Sequence, residues 1–350
     1  MSYKEEMAKQ KTVKLRERLE LLPPFLSTFF RGIADTTSIL TRMGYAYDLH
    51  IFFQFLSCEC AGFAGKDPRD FTLEELAQVT PENIEEFMEY LSYYVREEED
   101  RFVELQNAER GKSRKLSAVR SMFRYYYKKL KIPADPAELV DFPTIHEKAI
   151  IRLDVDEVAR LLDEVDTGEG LTQRQQKFHT LNRTRDLAIV TLLLGTGMRV
   201  SECVGINMND LNFINNSVKV TRKGGNEEIL YFGEEVEEVL LAYGDERVRI
   251  EPLNGHEAAF FLSLHRRRIT ERAVQLLVKK YAKIVTPLKK ISPHKLRSTY
   301  GTNLYRETGD IYLVADVLGH ADVNTTRKHY AEMSDDRRRM AAKTVKLRRE

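Results

Sequence analysis

Residues 187–202 read LAIVTLLLGTGMRVSE, and this stretch determines the fold of the second half of the chain. Its apolar run ends at Leu194 and is less than half of the ~20 residues that a membrane-spanning helix needs. We therefore expect a buried helix of a globular domain. Glycines at 195 and 197 form a break after this helix, and Arg199 follows directly after the break.

Two short β-type runs come next along the chain, at residues 218–222 and 227–232. The Gly-rich segment between them, Lys223-Gly224-Gly225-Asn226, is typical of a hairpin turn. Helical apolar spacing precedes this hairpin and resumes from residue 269 onwards. The second half is therefore predicted to be an α+β domain, mainly helical with a small antiparallel sheet.

The first half of the chain has the pattern of a helical bundle. Apolar residues recur at helical spacing over residues 33–56, and Thr72 and Thr80 are each placed to cap a helix N-terminus. The polar stretch 96–112 is expected to be a helix extension or a loop. Prolines at 133, 136 and 143 indicate a linker. We therefore expect domains over residues 1–145 and 146–335, followed by a short tail, 336–350.

Charge is nearly balanced overall but strongly segregated. The chain has 55 Lys+Arg and 54 Asp+Glu, a formal net charge of +1. Residues 111–131 nevertheless hold eight basic residues and no acid, and residues 264–290 hold nine basic residues and one acid. Such blocks allow a neutral protein to present basic faces to phosphates, although ordinary solvated faces are the alternative.

A basic helix is predicted over residues 113–130. Its larger apolar residues fall within one arc about 100° wide, and its basic residues fall outside that arc. The apolar side is expected to pack on its own domain while the basic side contacts DNA, a solvated basic surface being the alternative. The apolar residues are Leu116, Val119, Phe123, Tyr126, Tyr127 and Leu130. The candidate DNA-contacting residues of both basic blocks are Lys112, Arg114, Lys115, Arg120, Arg124, Lys128, Arg266, Arg267 and Arg268.

Several classes of protein are disfavoured by composition and motif content. Three cysteines are too few for a disulfide framework, and the polar first residues lack the apolar segment of a signal peptide, which favours the cytoplasm. The sequence has neither a carboxylate cluster suited to Mg²⁺ nor a G-x-x-x-x-G-K-[ST] loop. We expect chemistry that uses no metal and no cofactor.

Basic and proton-transferring side chains recur at the ends of predicted elements in the second half. Arg guanidinium groups bind phosphate oxygens through paired hydrogen bonds, and clamping those oxygens supplies most of the catalysis in phosphoryl transfer. A tyrosine is able to act as a covalent nucleophile toward phosphorus. Two arginines, a lysine, two histidines and a tyrosine therefore suit a phosphodiester substrate.

The same residues lie in an ordered set of motifs: GTGMRVSE (195–202), TRKGG (221–225), SPHKLR (292–297), VLGHADVNTT (317–326) and HY (329–330). This set closely resembles the tyrosine recombinase (lambda-integrase) family, and most of all its Xer-type and phage integrase branch. The resemblance implies a helical core-binding domain followed by the family's catalytic domain. It also implies six catalytic residues, namely Arg199, Lys223, His294, Arg297, His320 and Tyr330.

The resemblance assigns a role to each of these residues. Arg199 and Arg297 hold the scissile phosphate with help from His320, and Glu202 supports Arg199. Tyr330 attacks the phosphate to give a 3′-phosphotyrosyl bond. The other two residues handle protons: Lys223 protonates the leaving 5′-oxygen, and His294 takes part in proton transfer.

The implied partner is a specific site in double-stranded DNA, bound by a homotetramer on two duplexes or together with a related recombinase. The tail over 336–350 then docks on a neighbouring protomer. Chromosome dimer resolution and integration or excision of a mobile element both remain open. A type IB topoisomerase-like relaxing enzyme and a DNA-binding relative without catalysis are the alternative functions.

Overall fold

The structure is a computed structural model that describes residues 3–98, 101–146, 151–222, 225–319 and Val323. The chain divides into two compact units, Met1–Glu147 and Lys148–Glu350. We call them the N-terminal unit and the C-terminal unit. Each has a hydrophobic core of its own.

The described part of the N-terminal unit is mainly helical. Its helices are α1 (Tyr3–Leu19), α2 (Leu26–Gly32), α3 (Ile39–Glu59), α4 (Leu73–Leu76), α5 (Pro81–Tyr90) and α6 (Glu109–Lys128). Single 3₁₀ turns lie at Ala61–Phe63, Pro68–Asp70 and Pro136–Leu139. Strands β1 (Tyr94–Glu98) and β2 (Arg101–Leu105) separate α5 from α6.

Aromatic packing around α3 forms the centre of this unit. The Phe52 ring contacts the rings of Phe53, Phe87 and Phe123 edge to face, at centroid distances of 5.7, 5.1 and 6.4 Å. All four rings are fully buried. Burial of each contributes about 1.5–3 kcal/mol, so the contact of α3 with α5 and α6 supplies much of the stability of the unit.

The two predicted helix caps are confirmed. The Thr72 hydroxyl accepts a hydrogen bond from the Glu75 amide at 3.3 Å, and the Glu75 carboxylate accepts one from the Thr72 amide at 2.8 Å. Thr80 and Asn83 make the same reciprocal pair at the start of α5. These bonds satisfy amides that have no partner within the helix itself.

The prediction of a helix extension or loop over residues 96–112 is wrong in its first part. Residues 94–98 and 101–105 form two antiparallel strands, in which Tyr94 pairs with Leu105 and Arg96 with Val103. In the sequence, the acids at residues 97–100 have low strand propensity and obscure the β-type residues on either side. Only from Glu109 does the chain become helical.

Helix α6 matches the predicted basic helix but ends two residues sooner. Leu116, Val119, Phe123 and Tyr126 are buried as predicted. The prediction that Leu130 packs in the core is wrong, because this residue lies beyond the helix at φ 56° and is 89% exposed. The same prediction is wrong for Tyr127, which lies at the edge of the apolar arc and is 45% exposed.

The described part of the C-terminal unit combines helices with a small sheet. Its helices are α7 (Val155–Thr167), α8 (Gln173–Thr196), α9 (Val200–Gly205), α10 (Glu234–Arg247), α11 (Glu271–Val285), α12 (Pro293–Thr308) and α13 (Ile311–Leu318). The strands are β3 (Leu211–Asn212), β4 (Ser217–Thr221) and β5 (Glu227–Tyr231), and a 3₁₀ turn lies at Met208–Asp210. The strands are antiparallel in the order β3-β4-β5.

The predicted hairpin and the predicted buried helix are both present. Strand β4 pairs with β5 from Ser217 opposite Tyr231 to Thr221 opposite Glu227. Helix α8 begins earlier than predicted, but its apolar second half is buried in the core. Among the described residues, no helix is long and apolar enough to cross a membrane.

Gly197 ends α8 in a left-handed conformation with φ +63°. A Cβ atom at this position would lie 2.3 Å from Cδ1 of Tyr300 and 2.9 Å from Cδ2 of Leu318. Glycine thus allows α12 and α13 to approach the end of α8 closely.

The change Gly197→Ala is expected to lower the free energy of unfolding by about 3 kcal/mol, since it adds left-handed strain to overpacking. Denaturant titration of the purified protein measures this loss. Gly205→Ala is the matched control, because a Cβ there meets no atom within 4 Å. Equal stability of the two variants would contradict the packing argument.

Candidate active site

Arg199 and Glu202 are joined at the start of α9. The Arg199 amide donates to Oε2 of Glu202 at 2.8 Å, and its guanidinium donates to Oε1 at 2.9 Å. The Glu202 side chain is 2% exposed, whereas that of Arg199 is 35% exposed. Glu202 therefore holds a guanidinium that still reaches the surface.

Arg297 reaches the same place from α12. This helix starts at Pro293, and the Arg297 side chain is buried on its inner face. The guanidinium donates to the carbonyl oxygen of Gly197 at 2.7 Å and to that of Leu318. Arg199 donates to the next carbonyl, that of Gly319, at 3.2 Å. Two arginines from separate segments thus meet at the C-terminal end of α13.

His294 lies in the first turn of α12, three residues before Arg297, and is exposed. Its carbonyl oxygen accepts a hydrogen bond from the Ser298 hydroxyl at 3.1 Å. Lys223, His320 and Tyr330 lie outside the described residues. Arg222, which precedes Lys223, and Gly319, which precedes His320, are described, and they lie in contact with each other.

Arg222 is part of this site and was not identified from the sequence. It follows strand β4 and is 8% exposed. Its guanidinium contacts Glu228, Glu202 and the last carbonyls of α13. The available signal was an arginine next to a Gly-rich turn, which by itself does not distinguish a buried residue from a solvated one.

The resulting cluster has three guanidinium groups, those of Arg199, Arg222 and Arg297, and two carboxylates, those of Glu202 and Glu228. The hydrogen bond from Arg222, together with the positive charges of all three arginines, lowers the pKa of Glu228 against the opposing effect of burial. Glu228 is therefore ionised at neutral pH. Among the described residues, the three guanidinium groups of the cluster outnumber its two carboxyl groups. A partly exposed cationic site of this kind suits a phosphate group.

The candidate DNA contacts on α6 differ in exposure and in whether they pair with other side chains. Arg124 and Lys128 are exposed. Lys112 donates to the Ser92 hydroxyl at 2.6 Å, and Arg114 keeps 55% of its side chain exposed while pairing with Asp48.

Two predicted contacts on α6 are corrected by the structure. Lys115 is buried and donates to Oδ1 of Asn107 at 2.8 Å. Arg120 donates to the carbonyl oxygens of Ala137, Glu138 and Val140 and so ties α6 to the segment after it. Both side chains thus donate to groups of the protein.

The candidate DNA contacts of the second basic block, residues 266–268, also differ in exposure. Arg266 and Arg267 are exposed, and Arg266 has φ 58° in a tight turn. Arg268 is buried and donates to the carbonyl oxygens of Val204 and Ile206, both at 2.9 Å. Arg268 is thus a structural residue, which corrects its prediction as a DNA contact.

Among the described residues, no group of three or more His, Cys, Asp or Glu side chains is arranged to hold a metal ion. What the described residues do bring together is a set of cations and hydrogen-bond donors.

Comparison with known proteins identifies the family. The Phage integrase family profile matches residues 152–337. Tyrosine recombinase XerC of Caldanaerobacter subterraneus subsp. tengcongensis is 30% identical over 352 residues, covering 98% of this chain and 92% of the relative. Tyrosine recombinase XerS of Lactococcus lactis subsp. cremoris is 27% identical over 350 residues, covering 91% and 95%. The solved structure of XerH site-specific recombinase bound to palindromic difH substrate matches with a TM-score of 0.63 at 20% identity, covering 89% of this chain and 81% of that chain.

The fold is therefore that of the tyrosine recombinases. The chain belongs to the phage integrase family and is a site-specific tyrosine recombinase. The family resemblance, the fold class and the enzyme class predicted from the sequence are confirmed.

Proposed function

We propose that this recombinase cuts and rejoins a specific duplex DNA site through a 3′-phosphotyrosyl bond to Tyr330, using no metal and no ATP. The observation that carries the proposal is the meeting of Arg199 and Arg297 on the carbonyls of residues 318 and 319. In the sequence, His320 follows Gly319 directly, which supports its proposed place beside the two arginines.

The proposed step is an in-line displacement at phosphorus. The Tyr330 oxygen bonds to phosphorus while the bond to the 5′-oxygen breaks, and Lys223 gives that oxygen its proton. His294 accepts the phenol proton. Arg199 and Arg297 bind the non-bridging oxygens, which stabilises the transition-state charge. The same cations favour the phenolate of a tyrosine whose ordinary pKa is about 10.

The phosphotyrosyl ester conserves the energy of the broken DNA bond. Rejoining then reverses the first step, with the 5′-hydroxyl as nucleophile and Tyr330 as leaving group. This accounts for strand rejoining without a nucleotide cofactor.

We further propose that the N-terminal unit binds DNA through basic residues of α6 that reach the surface. The C-terminal unit adds contacts from the loop before α11. Surface exposure supports this assignment, since five of the six residues are exposed and Lys112 is partly exposed. The proposed contacts are Lys112, Arg114, Arg124, Lys128, Arg266 and Arg267.

Arg124→Ala is expected to weaken DNA binding and to reduce the slope of log K against log salt by about 1, since one phosphate contact is lost. Arg120→Ala is the matched control one turn away on α6. Because Arg120 binds backbone carbonyls, its loss is expected to lower stability and leave the salt slope unchanged. Fluorescence anisotropy across a salt series measures both slopes, and a reversed pattern would refute the assignment.

We propose that the working assembly is a homotetramer on two duplexes, or a tetramer shared with a related recombinase, in the cytoplasm. A solved lambda integrase tetramer bound to a Holliday junction has the same fold, with a TM-score of 0.61 at 14% identity. The tail over 336–350, which lies outside the described residues, is proposed to dock on the neighbouring protomer. Similarity to Xer recombinases along nearly the whole chain supports chromosome dimer resolution over integration of a mobile element.

The test is a recombination assay with a duplex site selected by affinity from a random library. A plasmid with two copies of the site is expected to give deletion or inversion between them. A plasmid with one copy is expected to give no product on its own. Relaxation of a supercoiled plasmid without any copy of the site would instead indicate a topoisomerase-like enzyme.

A further inference from the structure

We propose that Arg222 is a positioning residue, which fixes the hairpin turn bearing Lys223 against the C-terminal end of α13. The inference rests on the proposed function, in which Lys223 protonates the leaving 5′-oxygen. Arg222 does not touch the substrate in this proposal, since its donors are directed to protein groups.

All five N–H donors of the Arg222 guanidinium have acceptors within the protein. Nε and one terminal nitrogen donate to the two carboxylate oxygens of Glu228, at 2.6 and 2.8 Å. The remaining donors reach Oε2 of Glu202 at 3.4 Å and the carbonyls of Leu318 at 3.2 Å and Val317 at 3.0 Å. A guanidinium has five donors in a fixed planar fork, so none is left for a phosphate.

These contacts join three segments that are distant in sequence. Glu228 lies on strand β5 of the same hairpin, Glu202 lies on α9 beside Arg199, and the carbonyls end α13. The carbonyl of Leu318 is shared, because it also accepts a hydrogen bond from Arg297. Arg222 is therefore connected to both proposed phosphate-binding arginines, through Glu202 on one side and Leu318 on the other.

The backbone around Arg222 transmits this restraint to Lys223. The Arg222 amide donates to the carbonyl of Asn226 at 2.8 Å, which closes the hairpin turn. Lys223 is the next residue in the sequence. Holding the Arg222 side chain at the helix end thus limits where the turn and its lysine are able to lie.

Gly319 supplies the matching surface on α13. It adopts φ +59°, and a Cβ atom there would lie 2.7 Å from Cζ of Arg222. Only glycine allows the guanidinium to lie this close to the helix end. The same residue precedes His320, so the contact brings together the two segments that bear Lys223 and His320.

The two carboxylates keep Arg222 charged in its buried position. Burial alone lowers the pKa of Arg222, but the hydrogen bonds and charges of Glu228 and Glu202 outweigh this effect and raise it. The pair with Glu228 is bidentate, a geometry that lysine does not reproduce. An Arg222→Lys protein is thus expected to stay folded while holding the turn less firmly.

The test compares two cleavage substrates of the same sequence. In one, the scissile phosphate has its natural bridging 5′-oxygen, and in the other this oxygen is replaced by sulfur. An alkoxide needs a proton as it leaves, since the pKa of an alcohol is close to the ~15.7 of water. A thiolate leaves without one, since the pKa of a thiol is about 8.5. Cleavage of the sulfur substrate therefore does not depend on Lys223.

The variants are Arg222→Met, Arg222→Lys and Glu228→Gln, and the rate of covalent adduct formation is measured for each. With the oxygen substrate, Arg222→Met is expected to be about 100-fold slower than wild type, the cost of misplacing a catalytic group by about 1 Å. The other two variants are expected to lose less. With the sulfur substrate, all three are expected to regain the wild-type rate.

Lys219→Met is the matched control. Lys219 lies on the same hairpin, is 48% exposed and pairs with Asp210 and Glu227. The Lys219→Met protein is expected to cleave both substrates at the wild-type rate. Thermal unfolding identifies any variant that fails to fold, and if Arg222→Met is one of them, the lysine and glutamine variants decide the result.

Equal losses on both substrates in a folded variant would overturn the inference, because Arg222 would then act on the phosphate or on the scaffold as a whole. Undiminished cleavage of the oxygen substrate by the variants would overturn it as well. Failure of the wild-type protein to form an adduct with either substrate would instead refute the proposed function. The two failures are thus distinguishable.

Discussion

Replacing Arg297 by alanine is expected to slow covalent cleavage of DNA by about 10³–10⁵-fold, as found when an arginine is removed from a phosphoryl-transfer site. Arg297 is buried and held by two backbone carbonyls, so its guanidinium is preorganised before DNA arrives. Preorganised charge acts mainly on the transition state. DNA affinity is therefore expected to change much less than the cleavage rate.

Arg247→Ala provides a matched control for this variant. Arg247 is also buried and donates to three backbone carbonyls, but those belong to residues 250, 257 and 259. Both variants leave carbonyls without their guanidinium donors and are expected to lose stability. Only Arg297→Ala is expected to lose cleavage per folded molecule in a single-turnover assay. A comparable loss of cleavage in both variants would show that the effect of Arg297 is structural.

The second large effect is expected for Glu202→Ala, with a loss of about 3 kcal/mol in the free energy of unfolding. Glu202 is 2% exposed and accepts hydrogen bonds from both Arg199 and Arg222. Its removal leaves two arginines close together with one fewer carboxylate, and breaking a buried pair in this way is strongly destabilising. Cleavage is expected to fall as well, because Arg199 loses its support.

Glu227→Ala is the control for this effect, measured by denaturant titration in parallel. Glu227 lies on the hairpin, but its side chain is 61% exposed and pairs with Lys219. An exposed pair of this type contributes about 0–1 kcal/mol. A loss for Glu202→Ala no larger than that for Glu227→Ala would contradict the account of the arginine cluster.

Short-range features were predictable from the sequence because their causes lie within a few residues. The caps at Thr72 and Thr80 and the pairing of the two β-type runs on either side of the Gly-rich segment follow from local spacing and turn chemistry. The pairing of Arg199 with Glu202 was implied by the family resemblance, and its cause is local as well, since the two residues are three apart at a helix start.

Arg222 was missed because its partners come from elsewhere in the chain. Glu228 is six residues away, but Glu202 and the carbonyl of Leu318 are 20 and 96 residues away. No local pattern marks such a residue. Its burial follows from the way the hairpin packs on the end of α13.

The errors among the DNA contacts have a similar cause. Lys115 and Arg120 lie outside the apolar arc of α6, where the helical pattern predicts exposure. Their long side chains instead reach Asn107 and the carbonyls of the segment that follows the helix. Arg268 lies between exposed basic neighbours and the core, and it turns inward to cap carbonyls near the end of α9. Periodicity assigns a direction to the Cβ atom, but the far end of an arginine or lysine is able to find a buried acceptor.

The most direct measurement is covalent adduct formation on a nicked duplex of the selected site, with EDTA present. The nick lets the cleaved end diffuse away, so the phosphotyrosyl intermediate accumulates. We expect wild-type protein to give a denaturation-resistant protein–DNA adduct and Tyr330→Phe to give none while binding the site equally well. No adduct from wild-type protein bound to its site, or an adduct that persists in Tyr330→Phe, would contradict the proposed mechanism.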